Sequence, residues 1–268
     1  MGHRWIASEE GSEVWFGLAN GLEAFDQAFR LVHDQYVDRG YADPHPSGRR
    51  ITPYHWLPST RVFVAQVRGR VVGTITLIED STLGLPMDEI YHDELAPLRA
   101  APRRLAEVSA LAANYERRAE RLAVVMGLMR MLVVYAAEFA RLDDLCIAVN
   151  PRHAPFYVKV LRFRQFGPRK AFPKVNGAPA VALRLDLGFV RNLIRLGDSG
   201  YVFADEVYRF FFSRPNVRTA VQRLAATLPR SILPPSQLIA LAGGSPQPSE
   251  AGAPAEVASG GALALATA

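Results

Sequence analysis

The sequence predicts an α/β (α+β) fold in which a mixed sheet is covered by helices on both faces. Three observations carry this. Strand-like runs alternate with helical patterns through the middle of the chain, an order that builds a sheet with covering helices. The segment LAVVMGLMRMLVVYAAEFA at 122–140 is apolar on nearly every side, so it must pack on a sheet and be enclosed in turn. The pair Asn176-Gly177, ahead of APAVALRLDL, marks a closing hairpin. With 268 residues and 49% hydrophobic content, the chain can bury one large core.

Taken in order, EVWFGLAN (13–20) reads as a strand, and Gly21 ends it before a helical pattern from Leu22 to Tyr36. Phe25, Phe29, Val32 and Tyr36 recur there at three- to four-residue spacing and give the helix one apolar stripe. Residues 42–59 hold four prolines, several aromatics and Gly48, the composition of a long excursion; Tyr54, His55 and Trp56 suit a loop that folds over something. RVFVAQV (61–67) and RVVGTITLI (70–78) form a hairpin about Arg68-Gly69, since β-branched residues favour strands. STLGLPMDEIYHDELAPLR follows as a loop and a short helix. Leu105 to Ala112 is the next strand, apolar on both faces except for Glu107 and Ser109. NYERRAER (114–121) opens the long helix, LCIAV (145–149) is a buried strand, and Pro151 suits the first turn of a further helix.

Beyond Leu187 the chain reads as helices: FVRNLIRLG, VFADEVYRFFFS and VRTAVQRLAATL. Phe210, Phe211 and Phe212 cannot share one helical face, because successive residues point about 100° apart. At least one needs a second apolar surface: the body of the domain, the mouth of an acyl tunnel, or a membrane touched peripherally. From 243 onwards the chain has no aromatic residue and no Lys or Arg, and such composition does not repay its ordering entropy. The expected organisation is a domain over 1–187, a helical extension over 188–242 and a disordered tail over 243–268.

Composition excludes several classes. The lone Cys146, within LCIAV, rules out an internal disulfide framework and reads as a buried structural thiol. The histidines show no metal spacing and no GxSxG elbow occurs, so neither a metal site nor a serine hydrolase is expected. Arg130 and Glu138 lie inside the long apolar segment and favour a buried core helix over a membrane span. Glu9, Glu10 and Glu13 in the opening residues do not suit a secretory signal, which leaves the cytoplasm as the expected setting. The net charge of +5 is concentrated: between Asn150 and Lys174 stand Arg152, Lys159, Arg162, Arg164, Arg169, Lys170 and Lys174 with no Asp or Glu. That run is a candidate docking face for an acidic partner, or else a solvated basic face. No nucleic-acid-binding motif accompanies it.

The strand at 105–112 carries the chemistry. A short strand with one carboxylate, followed by a helix, is how several acyl-group transferases hold a thioester beside a base. Most amino groups are protonated at pH 7, so aminolysis of a thioester needs a base first. Glu107 is the candidate, because burial among apolar strand residues raises a carboxyl pKa. The alternative is a structural glutamate paired with Arg30 or another arginine.

The strings GLPMDEIYHDELAPLR (84–99), RRLAEVSALA (103–112) and NPRHAPFYVKVLRF (150–163) resemble the long-chain N-acyl amino acid synthases. These belong to the GNAT superfamily and are related to the acyl-homoserine-lactone autoinducer synthases. The resemblance spans roughly residues 22–187 and says nothing of 188–268. It implies a GNAT-like, mostly antiparallel mixed sheet and an acyltransferase that moves a long-chain fatty acyl group to the amino group of an amino acid. It implies no bound cofactor: the co-substrate is an acyl-phosphopantetheine thioester on an acyl carrier protein, or acyl-CoA. Glu107 takes the role of the active-site glutamate, and backbone amides along Val108, Ser109, Ala110, Leu111 and Ala112 those of oxyanion donors and pantetheine partners. The glycine-rich phosphate turn of acetyl-CoA enzymes is replaced by Ala113-Asn114-Tyr115-Glu116-Arg117-Arg118, where Arg117, Arg118 and Arg121 suit a single phosphopantetheine phosphate.

Arg30 matches an arginine of the autoinducer synthases' N-terminal part. It binds the acceptor carboxylate or orders the loop through Glu107 or Asp80, unless it is a plain surface residue. Tyr157 is placed to protonate the leaving thiolate or simply to fill the core. His153 contacts the acceptor or, preferably, caps the helix after Pro151. Arg152, Lys159, Arg162, Arg164, Arg169 and Lys170 form the carrier-protein docking face. The other expected functions are an acetyl-CoA-dependent N-acetyltransferase and a noncatalytic carrier-protein or lipid-binding module.

Overall fold

A computed structural model describes residues 14–115 and 118–243. The strands are β1 (Trp15–Leu18), β2 (Arg61–Val67), β3 (Arg70–Glu79), β4 (Leu105–Ala113), β5 (Asp144–Val149), β6 (Arg164–Phe172) and β7 (Ala178–Asp186). They form one sheet in the order β1-β2-β3-β4-β5-β7-β6, antiparallel throughout except where β4 meets β5. The β2–β3 hairpin turns on Arg68 and Gly69 with φ of 50° and 80°, the left-handed pair that matches the twist of the strands it joins. Phe172 pairs with Ala178 across the last hairpin, whose turn contains left-handed Asn176 and Gly177.

Side-chain alternation sorts the sheet into two faces. Phe63, Ala65, Ile75 and Leu77 face the long helix α3 (Arg118–Val134), which continues as a π-helical turn over Tyr135–Phe139; the ring of Tyr135 stands edge-on to Phe63 at 5.7 Å. Gly127 is required there, since a Cβ on it would lie 2.3 Å from the Phe16 ring of β1. The span Ala119–Phe139 is long and apolar enough to cross a membrane, yet most of it is buried within the fold. On the opposite face, Val62, Val64 and Val71 pack under α1 (Gly21–Asp38) through Ala24, Phe25, Ala28 and Phe29.

The helix after Pro151 differs from the sequence reading, whereas the short helix expected after residue 80 forms. Pro151 lies in a turn, and the helix after it, α4 (Ala154–Lys159), starts with Pro155 in its first turn. His153 occupies the N-cap position, but its side chain makes no cap; Nε2 instead accepts from Arg152 Nε at 3.0 Å. The helix predicted after residue 80 is α2 (Asp88–Ala100).

The C-terminal helices α5 (Leu187–Asp198), α6 (Glu206–Phe212), α7 (Arg214–Thr227) and α8 (Pro235–Leu241) wrap both faces. Leu193, Ile194, Phe203, Phe211, Phe212, Val217 and Leu224 join the main core, whereas Leu233, Leu238 and Leu241 join the cluster under α1. α5 and α6 touch so closely that a Cβ on Gly197 would meet the Phe212 carbonyl oxygen at 1.9 Å. Of the three phenylalanines, Phe211 and Phe212 are buried and Phe210 lies under the Arg130 guanidinium at 4.5 Å. Residues 244–268, where the tail was expected, lie outside the described residues.

Candidate active site

β4 and β5 pair in parallel only through Leu105↔Asp144, Ala106↔Leu145 and Glu107↔Cys146. Past Glu107 the two strands part, and the β5-facing edge of Val108–Ala112 has no ladder partner among the described residues. β4 also bulges where Ala110 takes φ 52°, so that Ser109 opposes Thr76 and Ala112 opposes Thr74. A bulge re-aims a strand and frees backbone groups, and such irregularities gather beside active sites.

Glu107 sits at the parting. Its side chain is fully buried, Oε2 accepts the backbone N–H of Met87 at 2.7 Å, and Oε1 has no hydrogen-bond partner among the described residues. Burial pushes its pKa up to about 8, opposed in part by the Met87 N–H and the charge of Lys174. The Met87 turn is held from behind. Arg99 binds Asp80 at 2.6 and 2.9 Å and Asp88 at 2.6 Å, and Asp88 Oδ2 accepts the Leu85 N–H at 2.6 Å. The GLPMDE string is therefore the turn that delivers an amide to Glu107. Tyr54 lies close by, its hydroxyl pushed up to about 12 by burial and by the charge of Glu107.

Ile78 pairs with Glu107 and Thr76 with Ser109, so these four side chains share a face. On that face a small cleft is lined by Thr76, Ile78, Ser109 and Ala110 of the sheet and by Arg50, Thr52 and His55 of the preceding loop. His55 Nδ1 lies 2.9 Å from the Thr52 N–H and therefore accepts from it, which leaves the ring proton on Nε2. Burial lowers the His55 pKa to about 4, so the ring is neutral at pH 7. The predicted loop at 42–59 thus does fold over something; the sequence marked His55 but held no sign of Arg50.

The other candidate residues fall in different places. Arg30 is half exposed and bonds Asp26 at 2.9 Å, and it joins neither Glu107 nor Asp80. Tyr157 is buried between Phe156 and Phe163, burial raises its pKa, and its hydroxyl has no hydrogen-bond partner among the described residues. Val108, Leu111 and Ala112 are core. Arg117 and the side chain of Arg118 lie outside the described residues. Arg121 binds the Tyr115 carbonyl at 2.8 Å and is near enough to Arg39 that it and Arg152 both disfavour the charge on Arg39, which burial already lowers. Arg39 was not apparent in the sequence.

The basic run divides in space. Lys170 bonds Glu94 at 2.7 Å and Lys174 meets Glu89 at 3.3 Å, both on α2, while Arg152 reaches the Tyr41 hydroxyl at 3.2 Å. Lys159, Arg162, Arg164 and Arg169 are exposed, without a carboxylate partner among the described residues. Cys146 is buried and its thiol pKa is raised by burial, which makes it a poor nucleophile.

A carboxyl of raised pKa beside an interrupted strand, whose amides face a parting in the sheet, suits the passage of an acyl group from a thioester to an amine. With the strand order above, it defines an acyltransferase of the GNAT type. The sequence places it further: residues 27–186 match the family described as N-acyl amino acid synthase FeeM, and the chain belongs to that family. The solved structure of FeeM, an N-acyl amino acid synthase from uncultured soil microbes, is 32% identical, with a TM-score of 0.61 over 69% of this chain and 96% of that one. The acyl-homoserine-lactone (AHL) synthase LasI is 21% identical, with a TM-score of 0.53 over 66% of this chain and 91% of that one, and shares the fold. No curated protein sequence matches the chain.

Proposed function

We propose that this acyltransferase moves a long-chain fatty acyl group from the thioester of a cytoplasmic acyl carrier protein to the amino group of an amino acid. The observation that carries the reading is the unpartnered, buried Oε1 of Glu107 at the parting of β4 and β5. An amine proton would pass to Oε1, directly or through one water in the cavity. The freed nitrogen attacks the thioester carbonyl, whose developing oxyanion meets the unpaired amides of β4. The C–S bond then breaks, and the second proton of the attacking nitrogen reaches the thiolate through Tyr157, which gives up its own and takes that one, leaving an amide and a free thiol while Glu107 returns the first proton to solvent.

Three further features support the donor. An apolar cleft between α3, α4 and α6, lined by Met126, Phe156, Val160, Val207 and Phe210, has the chemistry for a fatty chain. Arg39, Arg121 and Arg152, at the opening of α3, would hold a phosphopantetheine phosphate. Arg162, Arg164 and Arg184, with Asp186 the one acid among them, line an open trough beside exposed Val158 and Phe189, a surface that favours an acidic carrier protein over free CoA.

The test is to incubate the protein with pooled amino acids and a dodecanoyl thioester, given as carrier protein or as CoA, and read the products by mass spectrometry. N-acyl amino acids formed faster from the carrier protein are expected. Acetyl transfer alone would favour an N-acetyltransferase, and no product from any donor would sink the enzymatic reading.

A further inference from the structure

Three arginines stand around the segment that follows α1, and they are not equivalent. Arg30 and Arg49 both bind Asp26, which is thereby shared between two cations. Arg50 has no carboxylate partner among the described residues. Its guanidinium lies over the Tyr36 ring at 4.4 Å, and its one hydrogen bond, from Nη2 to the Lys174 carbonyl, is long at 3.4 Å. Arg50 is half-buried, and that burial lowers its pKa. A guanidinium partly withdrawn from water and lining a cleft attracts an anion.

The cavity walls agree on the sign of that ion. None of its lining residues is acidic. His55, neutral with its proton on Nε2, offers a second donor, because Nδ1 is already engaged by the Thr52 N–H. Thr52, Thr76 and Ser109 add hydroxyls, although Thr52 Oγ1 lies 3.0 Å from the ring nitrogen it shares.

Position selects the ligand. The floor residues Ile78 and Ser109 are the β-ladder partner of Glu107 and the residue two further along its own strand, on the same face. An α-amino acid separates its amine from its carboxylate by a single carbon. An amine that gives its proton to Glu107 keeps its carboxylate within a few ångströms, and Ile78 and Ser109 bring the cleft under Arg50 to that side of Glu107, whereas Arg121, with Arg39 and Arg152 near it, lies by the segment that follows β4. We propose that Arg50, assisted by His55, binds the α-carboxylate of the acceptor in this cavity, so that the enzyme selects α-amino acids over simple amines. The role expected of Arg30 passes to Arg50, and the inference rests on the acyl-transfer reading above.

The experiment compares kcat/KM for the amino acids the enzyme accepts with kcat/KM for their decarboxylated amines, in the native enzyme and in Arg50→Met. The native preference for the acid should fall by about 10²-fold, mostly through KM for the amino acid. Arg50→Lys, which keeps the charge and loses the fork, should restore part of it. A preference within about threefold of native in Arg50→Met overturns the proposal. Should Arg50→Met melt well below the native protein, Arg50→Gln, which keeps the stem and a polar head, gives the deciding ratio on the same terms. If no acyl transfer is found with any donor, the site is read without chemistry. Saturating amino acids should raise the melting temperature of the native protein more than their methyl esters do, and an equal difference in Arg50→Met overturns the proposal.

Discussion

The backbone N–H of Met87 donates to Glu107 Oε2 at 2.7 Å, and this bond joins two sequence strings that lie twenty residues apart. GLPMDE supplies the donor and AEVSALA the acceptor. The turn stabilises the ionised form of Glu107, while burial opposes it more strongly, so the carboxyl is held near pH 8 rather than in the ordinary carboxylate range.

That balance predicts the pH dependence of transfer. With a pKa of about 8, only about a tenth of Glu107 is ionised at pH 7, so kcat/KM should rise about tenfold between pH 7 and pH 9. Glu107→Gln should lose about 10²- to 10⁴-fold and retain only the pH response of the amine itself. Parallel pH profiles for the two proteins would exclude a base role.

Stability should answer with the opposite slope. The Glu107 pKa is raised from the ordinary 4.5 to about 8, so the folded state holds a proton that the unfolded chain releases between those values. The contribution is intact below pH 4.5, declines as pH rises and is lost above about 8. Glu107→Gln should therefore melt close to the native protein at pH 4.5 and several degrees above it at pH 9, read by thermal denaturation. A difference that does not grow with pH would contradict the buried, raised carboxyl.

Arg99 acts on Glu107 only through the turn it clamps. Arg99→Met removes its bonds to Asp80 and Asp88 and loosens the Met87 amide, and Glu107 then loses a bond that lowers its pKa. The midpoint of the pH–rate profile should move upward, with a loss of about tenfold at pH 7 that shrinks at pH 9. Arg99→Lys should recover part of the shift. A uniform loss at every pH would mean that Arg99 serves the fold alone.

How far the sequence reached is clear from particular residues. The β2–β3 hairpin, β4 and the burial of the 122–140 helix were legible because local patterning and global packing agree there. The buried, raised-pKa state of Glu107 was legible because a lone carboxylate in an apolar strand is costly to bury as a charge. Arg50 was not: it follows Arg49 in an irregular loop, and only the fold shows that Asp26 satisfies Arg49 while Arg50 meets no acid among the described residues. The acid-free run at 150–174 misled in part, since Glu89 and Glu94 reach Lys174 and Lys170 from α2, far away in sequence.

The part of that run without acidic partners gives a prediction about the donor. Arg162→Glu with Arg164→Glu should raise KM for acyl carrier protein by about tenfold and leave KM for acyl-CoA nearly unchanged. Salt should weaken the native carrier-protein interaction over the range where exposed charges are screened. Equal effects on both donors would move the docking surface elsewhere.

The family match ends at residue 186, yet the helices that follow are not ornamental to the fold. Phe203, Phe211, Phe212 and Leu224 are buried in the main core, and the Thr227 hydroxyl accepts the Leu18 N–H of edge strand β1 at 3.4 Å. Each large apolar side chain so buried contributes about 1.5–3 kcal/mol, and removing several exceeds the net stability of most domains. A chain ending at Gly188 should aggregate or melt far below the full-length protein, whereas one ending at Gly243 keeps every helix from α5 to α8 and should melt with it. Phe210 separates the two roles of the extension: it borders the apolar cleft and stacks under Arg130. Phe210→Ala should cost little melting temperature and shift the preferred acyl chain towards greater length. If the chain ending at Gly188 stays folded with an unchanged melting temperature, the extension lies outside the cooperative core, and its contacts with α3 and β1 contribute nothing to stability.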